Sequence, residues 1–222
     1  MTARPPAFAY APPAHRGLAI VHREDSFLVL DKPSGLLSVP GRGEDKQDCL
    51  ASRVQAEYPD ALIVHRLDME TSGLLVMARG EEAQRRLSRL FRERQVDKRY
   101  VAVVAGALAA DEGQVNLPLI TDWPNRPRQK VDFELGKPSL TRFRVLGRDP
   151  AANTTRVELE PVSGRSHQLR VHMQSLGHPI LGDPLYGGGA DHRRRLLLHA
   201  THLAFPHPFS QEAMAFACPA DF

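Results

Sequence analysis

Apolar and polar residues alternate along this chain in two different rhythms, and the switches between them predict its elements. Residues 17–35, GLAIVHREDSFLVLDKPSG, hold two short apolar runs parted by Glu24, Asp25 and Ser26. That pattern predicts a strand, a turn and a second strand over residues 27–30. Leu50, Val54 and Tyr58 then recur at helical spacing behind Asp48, a suitable N-cap, and Pro59 stops the helix. Residues 61–64 and 74–78 predict two buried strands, joined by a polar loop that carries Asp68 and ends in a Thr71-Ser72-Gly73 turn. From Glu81 to about Arg94, Ala83, Leu87, Leu90 and Phe91 mark one face of a helix whose other faces are rich in arginine. Residues 100–104 form a near-continuous apolar run, expected to be a buried strand.

The second half is expected to be rich in strands. Residues 142–145 and 156–159 alternate charged and apolar side chains, so each should bury one face. Ser166 is expected to start a helix that turns Leu169, Met173 and Leu176 inward and ends at Gly177 in a left-handed cap. Residues 196–198 predict a short buried strand. Helices and strands mix without a strict alternation, which implies an α+β fold built on a mixed, mostly antiparallel sheet.

A length of 222 residues allows one large domain or two small ones, and 42% hydrophobic with 25% charged residues is ordinary for a soluble globular chain. No apolar run approaches the roughly 18 residues of a membrane span. Prolines at 5, 6, 12 and 13 predict a disordered tail over residues 1–16 ahead of a single domain over 17–222, and the tail lacks the pattern of a signal peptide. Cys49 and Cys218 offer neither a metal-binding spacing nor a disulfide framework, which fits a reducing cytoplasm. The net charge of +3 is uneven: residues 79–99 hold 8 Lys/Arg against 4 Asp/Glu, and residues 121–148 hold 7 against 3. Local basic surplus of this kind suits a polyanionic partner.

Candidate chemistry centres on Asp68, a carboxylate on a loop between two buried strands, with Arg66 just before it. A strand–Asp–turn–strand unit alone is weak evidence of catalysis. Asp68 and Glu70 are too close on one loop to flank a glycosidic bond. His199, His202 and His207 lack the companions of a metal site, and no phosphate-cradling glycine loop is present.

The strings themselves say more. HRLDMETSGLLV (65–76) resembles the H-R-L-D-x-x-T-S-G signature of the RluA-type pseudouridine synthases. DKPSGLLSVPG (31–41), KRYVAVVAG (98–106), GRSHQLRVHM (164–173), GHPILGDPLYG (177–187) and RLLLHA (195–200) resemble further motifs of that family, in the family's order. TDWPNRPRQK (121–130) is similar to the branch that acts on both transfer RNA and large-subunit (23S) ribosomal RNA. The resemblance implies the pseudouridine synthase fold, a sheet in two sub-domains around a central active-site cleft, without the S4-like module that precedes it in many relatives. It implies a cofactor-free, metal-free isomerisation of uridine by a cytoplasmic monomer. Asp68 would be the nucleophile, Arg165 the guanidinium that holds its charge, and Tyr100 the residue that packs on the base and relays a proton. Arg66 would fill the gap left by the flipped uridine, Leu198 would wall the pocket, and Arg126, Arg128 and Lys130 would contact RNA phosphates. Lys32 and Pro33 would fix a supporting turn. The competing readings are a synthase restricted to ribosomal RNA and a hairpin-binding assembly factor without chemistry.

Overall fold

Two half-sheets meet along one short parallel seam, and the seam dictates where the Asp68 loop lies. The computed structural model describes residues 10–188 and 195–222. Its elements run β1 (Ile20–Arg23), β2 (Phe27–Lys32), α1 (Leu50–Glu57), β3 (Ala61–Ile63), β4 (Ser72–Arg79), α2 (Glu81–Arg92), β5 (Asp97–Ala105), β6 (Glu112–Asn116), β7 (Leu119–Thr121), β8 (Gln129–Val131), β9 (Leu140–Asp149), β10 (Thr154–Pro161), α3 (Gln168–Ser175), β11 (Leu198–Pro206) and β12 (Ala213–Ala217). Ten strands form one sheet in the order β1-β2-β4-β11-β5-β10-β9-β6, with β3 on β4 and β12 on β11, while β7 and β8 make a separate hairpin. Every pairing is antiparallel except β4 with β11, which match only at Ser72–His199 and Gly73–Ala200. The expected α+β fold with a mostly antiparallel sheet is the one observed.

Among the described residues, apolar side chains fill three large clusters and a small one of Leu119, Val171 and Tyr186. One packs α1, Leu36 and Leu67 against β2 and β4; a second packs α2, Leu203 and Phe205 against the other face of those strands. The third lies between α3 and strands β5, β9 and β10. Tyr100 touches both the first and the third, so it stands where the two halves meet.

Several elements depart from the sequence expectation for local reasons. Cys49, not Asp48, caps α1: its Sγ accepts the Ser52 amide, while both Asp48 oxygens are held by Arg53 at 2.7 and 2.8 Å. Ser72 and Gly73 belong to β4 instead of a turn. Helix α3 begins at Gln168 because His167 holds a left-handed backbone (φ 53°), and Leu176 at its end is exposed instead of facing the core. The strand expected at 196–198 begins at Leu198 and runs on to Pro206. Of the tail read as disordered, residues 1–9 lie outside the described part, but residues from Tyr10 on are tied down. The Tyr10 hydroxyl donates to Asp48 O (2.9 Å) and accepts the Leu37 amide (3.0 Å), and Arg53 donates to Pro13 O (2.6 Å). No helix among the described residues is long and apolar enough to cross a membrane.

Gly73 permits the seam. It sits at φ +107°, and a Cβ there would lie 2.4 Å from Ala200 O and 2.5 Å from Ala200 N. Backbone cannot yield as a flexible side chain can, so strand β4 could not approach β11 with any larger residue. Gly73→Ala is therefore expected to destabilise the protein by more than about 3 kcal/mol, a loss of roughly 6–12 °C in Tm. Gly80→Ala, at φ +78° with nothing within 4 Å, should cost only the left-handed strain of about 1–2 kcal/mol. Equal losses for the two variants in thermal unfolding would contradict the seam.

Candidate active site

The loop between β3 and β4 is clamped by its own carbonyls. Ser38 Oγ donates to Leu67 O (2.7 Å), Lys32 Nζ to Met69 O (3.0 Å) and Ser34 Oγ to Glu70 O (2.7 Å). The donors are the last residue of β2 and two residues of the segment that follows it, so this stretch fixes the backbone on both sides of Asp68. Lys32 is the most telling of them. Its side chain is fully buried, and its three N–H groups are matched by three carbonyls, the other two being Pro33 O (2.9 Å) and Leu36 O (2.7 Å). Burial drives its pKa down to about 7, partly offset by the charges of Asp68 and Glu70.

His65 anchors the same loop from the other side. Its Nε2 accepts the Val76 amide at 3.0 Å, and its ring stacks on Phe91 with centroids 4.3 Å apart. Burial, with the Lys98 charge adding to it, lowers its pKa to about 3, so the ring is neutral and remains an acceptor.

Asp68 is half-buried and opens onto a cleft of about 850 Å³, within the range of ligand sites. Arg66, Tyr100, Leu198 and Arg165 line the same cleft, so five of the eight residues singled out in the sequence meet there. Arg126, Arg128 and Lys130 do not line it. Arg126 and Arg128 sit on the connection between β7 and β8, and Lys130 lies within β8. Arg126 stacks on Trp123 at 4.1 Å, Arg128 lies 5.4 Å from the Tyr186 ring, and Lys130 pairs with Asp132 at 3.3 Å.

One assignment needs correction. The guanidinium facing Asp68 belongs to Arg170, whose Nη1 lies 3.5 Å from Asp68 Oδ2. Arg165 is exposed on the cleft rim and turns its Nε toward Pro138 O at 3.3 Å. The reason is local: Arg165 precedes the left-handed turn at His167, whereas Arg170 lies in the first turn of α3 and points into the cleft. Arg170 is 2% exposed and grips Asp183 with two bonds of 2.7 Å, from Nε and from Nη2. Burial works against its charge, but the Asp183 bonds and the two nearby carboxylates outweigh that and hold its pKa above the ordinary arginine value.

Sequence reasoning also missed His167, Asp183 and Tyr186, although all lie within the quoted motifs. His167 Nε2 is 4.0 Å from Asp68 Oδ1, and its Nδ1 is 2.8 Å from the Tyr186 hydroxyl. A legible signal existed for Arg170. An arginine between Leu169 and Val171 in an apolar helix is a buried charge, and a buried charge requires a partner.

Tyr100 keeps its proton. Burial of the phenol, helped by the Asp68 charge, raises its pKa well above that of an ordinary tyrosine. Among the described residues, Asp31, His199 and Cys218 bring metal-capable atoms within 4.8 Å of one another. The set is already used for hydrogen bonding: His199 Nδ1 meets Ser72 Oγ at 2.8 Å and Nε2 meets Cys218 O at 3.2 Å. Burial and Asp31 push the Cys218 thiol up to about 11, so it is protonated and a poor ligand.

The chain carrying this site is matched by a family model described as RNA pseudouridylate synthase, over residues 26–175. The chain belongs to that family. It is therefore an isomerase, an RNA pseudouridine synthase. Curated relatives include the dual-specificity RNA pseudouridine synthase RluA of Pasteurella multocida (strain Pm70), 54% identical, with 96% of this chain and 98% of the relative covered. The protein of the same name from Escherichia coli (strain K12) is 53% identical over the same shares. Among solved structures, human RNA pseudouridylate synthase domain containing 1 matches with a TM-score of 0.78 at 31% identity, covering 94% of this chain and 86% of that one.

Replacing Lys32 tests the clamp under the Asp68 loop. Lys32→Met leaves three carbonyls without their donor and should cost about 2–3 kcal/mol. Lys32 has a lower pKa folded than unfolded, so between about pH 7 and the ordinary 10.5 the unfolded chain binds more protons. Wild-type stability at this site accordingly rises through that window, and the variant should lose the rise. Urea unfolding at both ends of the window checks it; an unchanged pH dependence would contradict the clamp.

Proposed function

We propose that this synthase isomerises uridines in two RNA substrates, a transfer-RNA anticodon stem-loop and a 23S ribosomal RNA hairpin, with Asp68 as its nucleophile. The observation that carries the reading is the Asp68 carboxylate in the cleft, 3.5 Å from a guanidinium that is itself fixed by Asp183. The two-substrate specificity is supported by the dual-specificity relatives and by their coverage of nearly the whole chain.

The reaction breaks the bond from uracil N1 to C1′, turns the base, joins C5 to C1′ and moves the C5 proton off the ring. None of these steps transfers electrons to an acceptor. Asp68 is the nucleophile, and Arg170 takes the supporting part that the sequence had suggested for Arg165. Arg170 suits it because a guanidinium stays charged at every relevant pH and offers a fixed fork of donors. Tyr100 starts the cycle as a neutral phenol, so it serves first as a face for the base and as a hydrogen-bond donor. It can accept the C5 proton only as its own proton leaves. Leu198 supplies an apolar wall.

A base must leave its stack to reach Asp68, at a cost of a few kcal/mol. Arg66 is exposed on the cleft rim, where its plane can stack in the vacated place. Arg92, Arg94 and Arg165 are exposed on the same rim and face the phosphates around the flipped nucleotide. The arginines along α2 contribute less, since Arg85 and Arg86 pair with Glu82 and Arg89 pairs with Glu93. Arg126, Arg128 and Lys130 extend the grip along the β7–β8 hairpin. The enzyme acts as a cytoplasmic monomer without a cofactor.

Asp68→Asn should abolish tritium release from C5-labelled uridine in both RNAs while leaving RNA affinity within a few fold. Activity on ribosomal RNA but none on transfer RNA would reduce the proposal to a single-substrate enzyme. The double change Arg126→Ala with Arg128→Ala should weaken binding and flatten the log–log salt dependence by about one unit per lost phosphate contact. An unchanged slope would remove the hairpin from the RNA interface.

A further inference from the structure

The β7–β8 hairpin stands outside the main sheet, yet a chain of polar atoms joins it to the cleft. The Gln129 amide, at the start of β8, donates to the Tyr186 hydroxyl at 2.8 Å. That hydroxyl lies 2.8 Å from His167 Nδ1, and His167 Nε2 lies 4.0 Å from Asp68 Oδ1. A phenol has one proton to give and lone pairs to accept with. With Gln129 N–H as its donor, the Tyr186 proton is directed to His167 Nδ1. His167 then carries its own proton on Nε2, the nitrogen nearest Asp68.

The surroundings hold the chain in place. Tyr186 is 3% exposed and packs with Leu119, Val171, Val131 and Leu185, which ties the hairpin to α3. Its ring also lies between two guanidiniums, Arg128 of the hairpin at 5.4 Å and Arg170 at 5.1 Å. His167 occupies the N-cap position of α3 but makes no side-chain cap. Its left-handed backbone instead turns the imidazole toward the carboxylate, a strained conformation that places it there.

We propose that Tyr186 and His167 are positioning residues: a hydrogen-bonded tether from the hairpin main chain fixes the His167 ring with its Nε2–H 4.0 Å from Asp68 Oδ1, beyond direct hydrogen-bond reach, so that the N–H dipole orients the carboxylate for attack. The proposal rests on the reading of Asp68 as nucleophile and assigns it a device that fixes its approach. The groups facing His167 are Asp68, Asp183, Arg170, Arg66 and Tyr186. Burial lowers its pKa, the two carboxylates oppose this and the two guanidiniums add to it, so the ring is neutral near pH 7. A second proton, on Nδ1, would have to be donated to the Tyr186 oxygen that already accepts from Gln129. The phenol proton would lose its acceptor, and the imidazolium would pair with Asp68. The tether therefore works only with a neutral ring.

The test measures single-turnover tritium release and RNA affinity across the acid range for wild type, Tyr186→Phe, His167→Asn and the double variant. Phe keeps the ring between the guanidiniums, and Asn tolerates a left-handed backbone, so both variants should fold. Each single variant is expected to react about tenfold more slowly with RNA affinity within about twofold, and the double variant no more slowly than the slower single, because both break one chain. His167→Asn should also move the acid limb of the rate profile to lower pH, which a merely structural histidine would not do. Wild-type rates in both singles, multiplied losses in the double, or an unmoved acid limb would overturn the tether. Asp68→Asn run alongside separates the two readings. Its activity, if retained, would overturn the nucleophile itself; its inactivity beside fully active tether variants would overturn only the tether.

Discussion

A single buried guanidinium organises the cleft. Arg170 is nearly inaccessible to water, so its charge must be met by protein groups, and Asp183 meets it with two short bonds along one edge. The remaining nitrogen, Nη1, is what faces Asp68. Asp183 is held in turn by the Leu185 and Tyr186 amides, at 2.9 and 3.0 Å, so the arginine has little freedom. The Asp68 carboxylate thus meets a positive charge whose position is settled before any substrate arrives. In the mechanism proposed for Asp68, preorganisation of this kind spares the reaction the cost of reorienting dipoles during attack.

That arrangement spans the two halves of the sheet. Asp68 belongs to the β2–β4 side, Arg170 and Asp183 to the β5–β10 side, and they face each other because β4 and β11 can approach at Gly73. The Asp68 loop cannot drift from this position, since Lys32, Ser34 and Ser38 hold the carbonyls of residues 69, 70 and 67. Burying the Lys32 amine is costly, and its lowered pKa records that cost. Three carbonyls directed at one nitrogen are the compensation. Rigidity at Asp68 is built from main-chain contacts, which side-chain exchange elsewhere would leave intact.

The electrostatics divide by depth. Inside, charges are paired or neutralised: Arg170 with its carboxylates, His65 and His167 as neutral rings, Tyr100 as a phenol. At the rim, Arg66, Arg92, Arg94 and Arg165 are exposed and turned to solvent, as suits contact with a phosphate backbone. The arginines of α2, one of the two stretches whose charge surplus suited a polyanionic partner, are largely paired along their own helix. Charge counted along a sequence cannot tell a guanidinium held by a neighbouring carboxylate from one turned to solvent.

The sequence by itself determined the fold class, the strands around the Asp68 loop, helix α2 and five of the residues that line the cleft, Asp68 among them. These follow from short-range physics: apolar periodicity fixes which face is buried, and the motif strings mark positions where chemistry and turns are confined. The hairpin strands β7 and β8, the edge strand β6 and strand β12 were not legible, because short or exposed strands carry little apolar alternation and take their pairing from neighbours far along the chain. The choice between Arg165 and Arg170 was decided only by tertiary structure. Both lie in one motif, and only the left-handed turn at His167 and the packing of α3 determine which one enters the cleft. The link from Gln129 through Tyr186 to His167 was hidden for the same reason, since its members come from three segments that meet only when α3 packs against the hairpin.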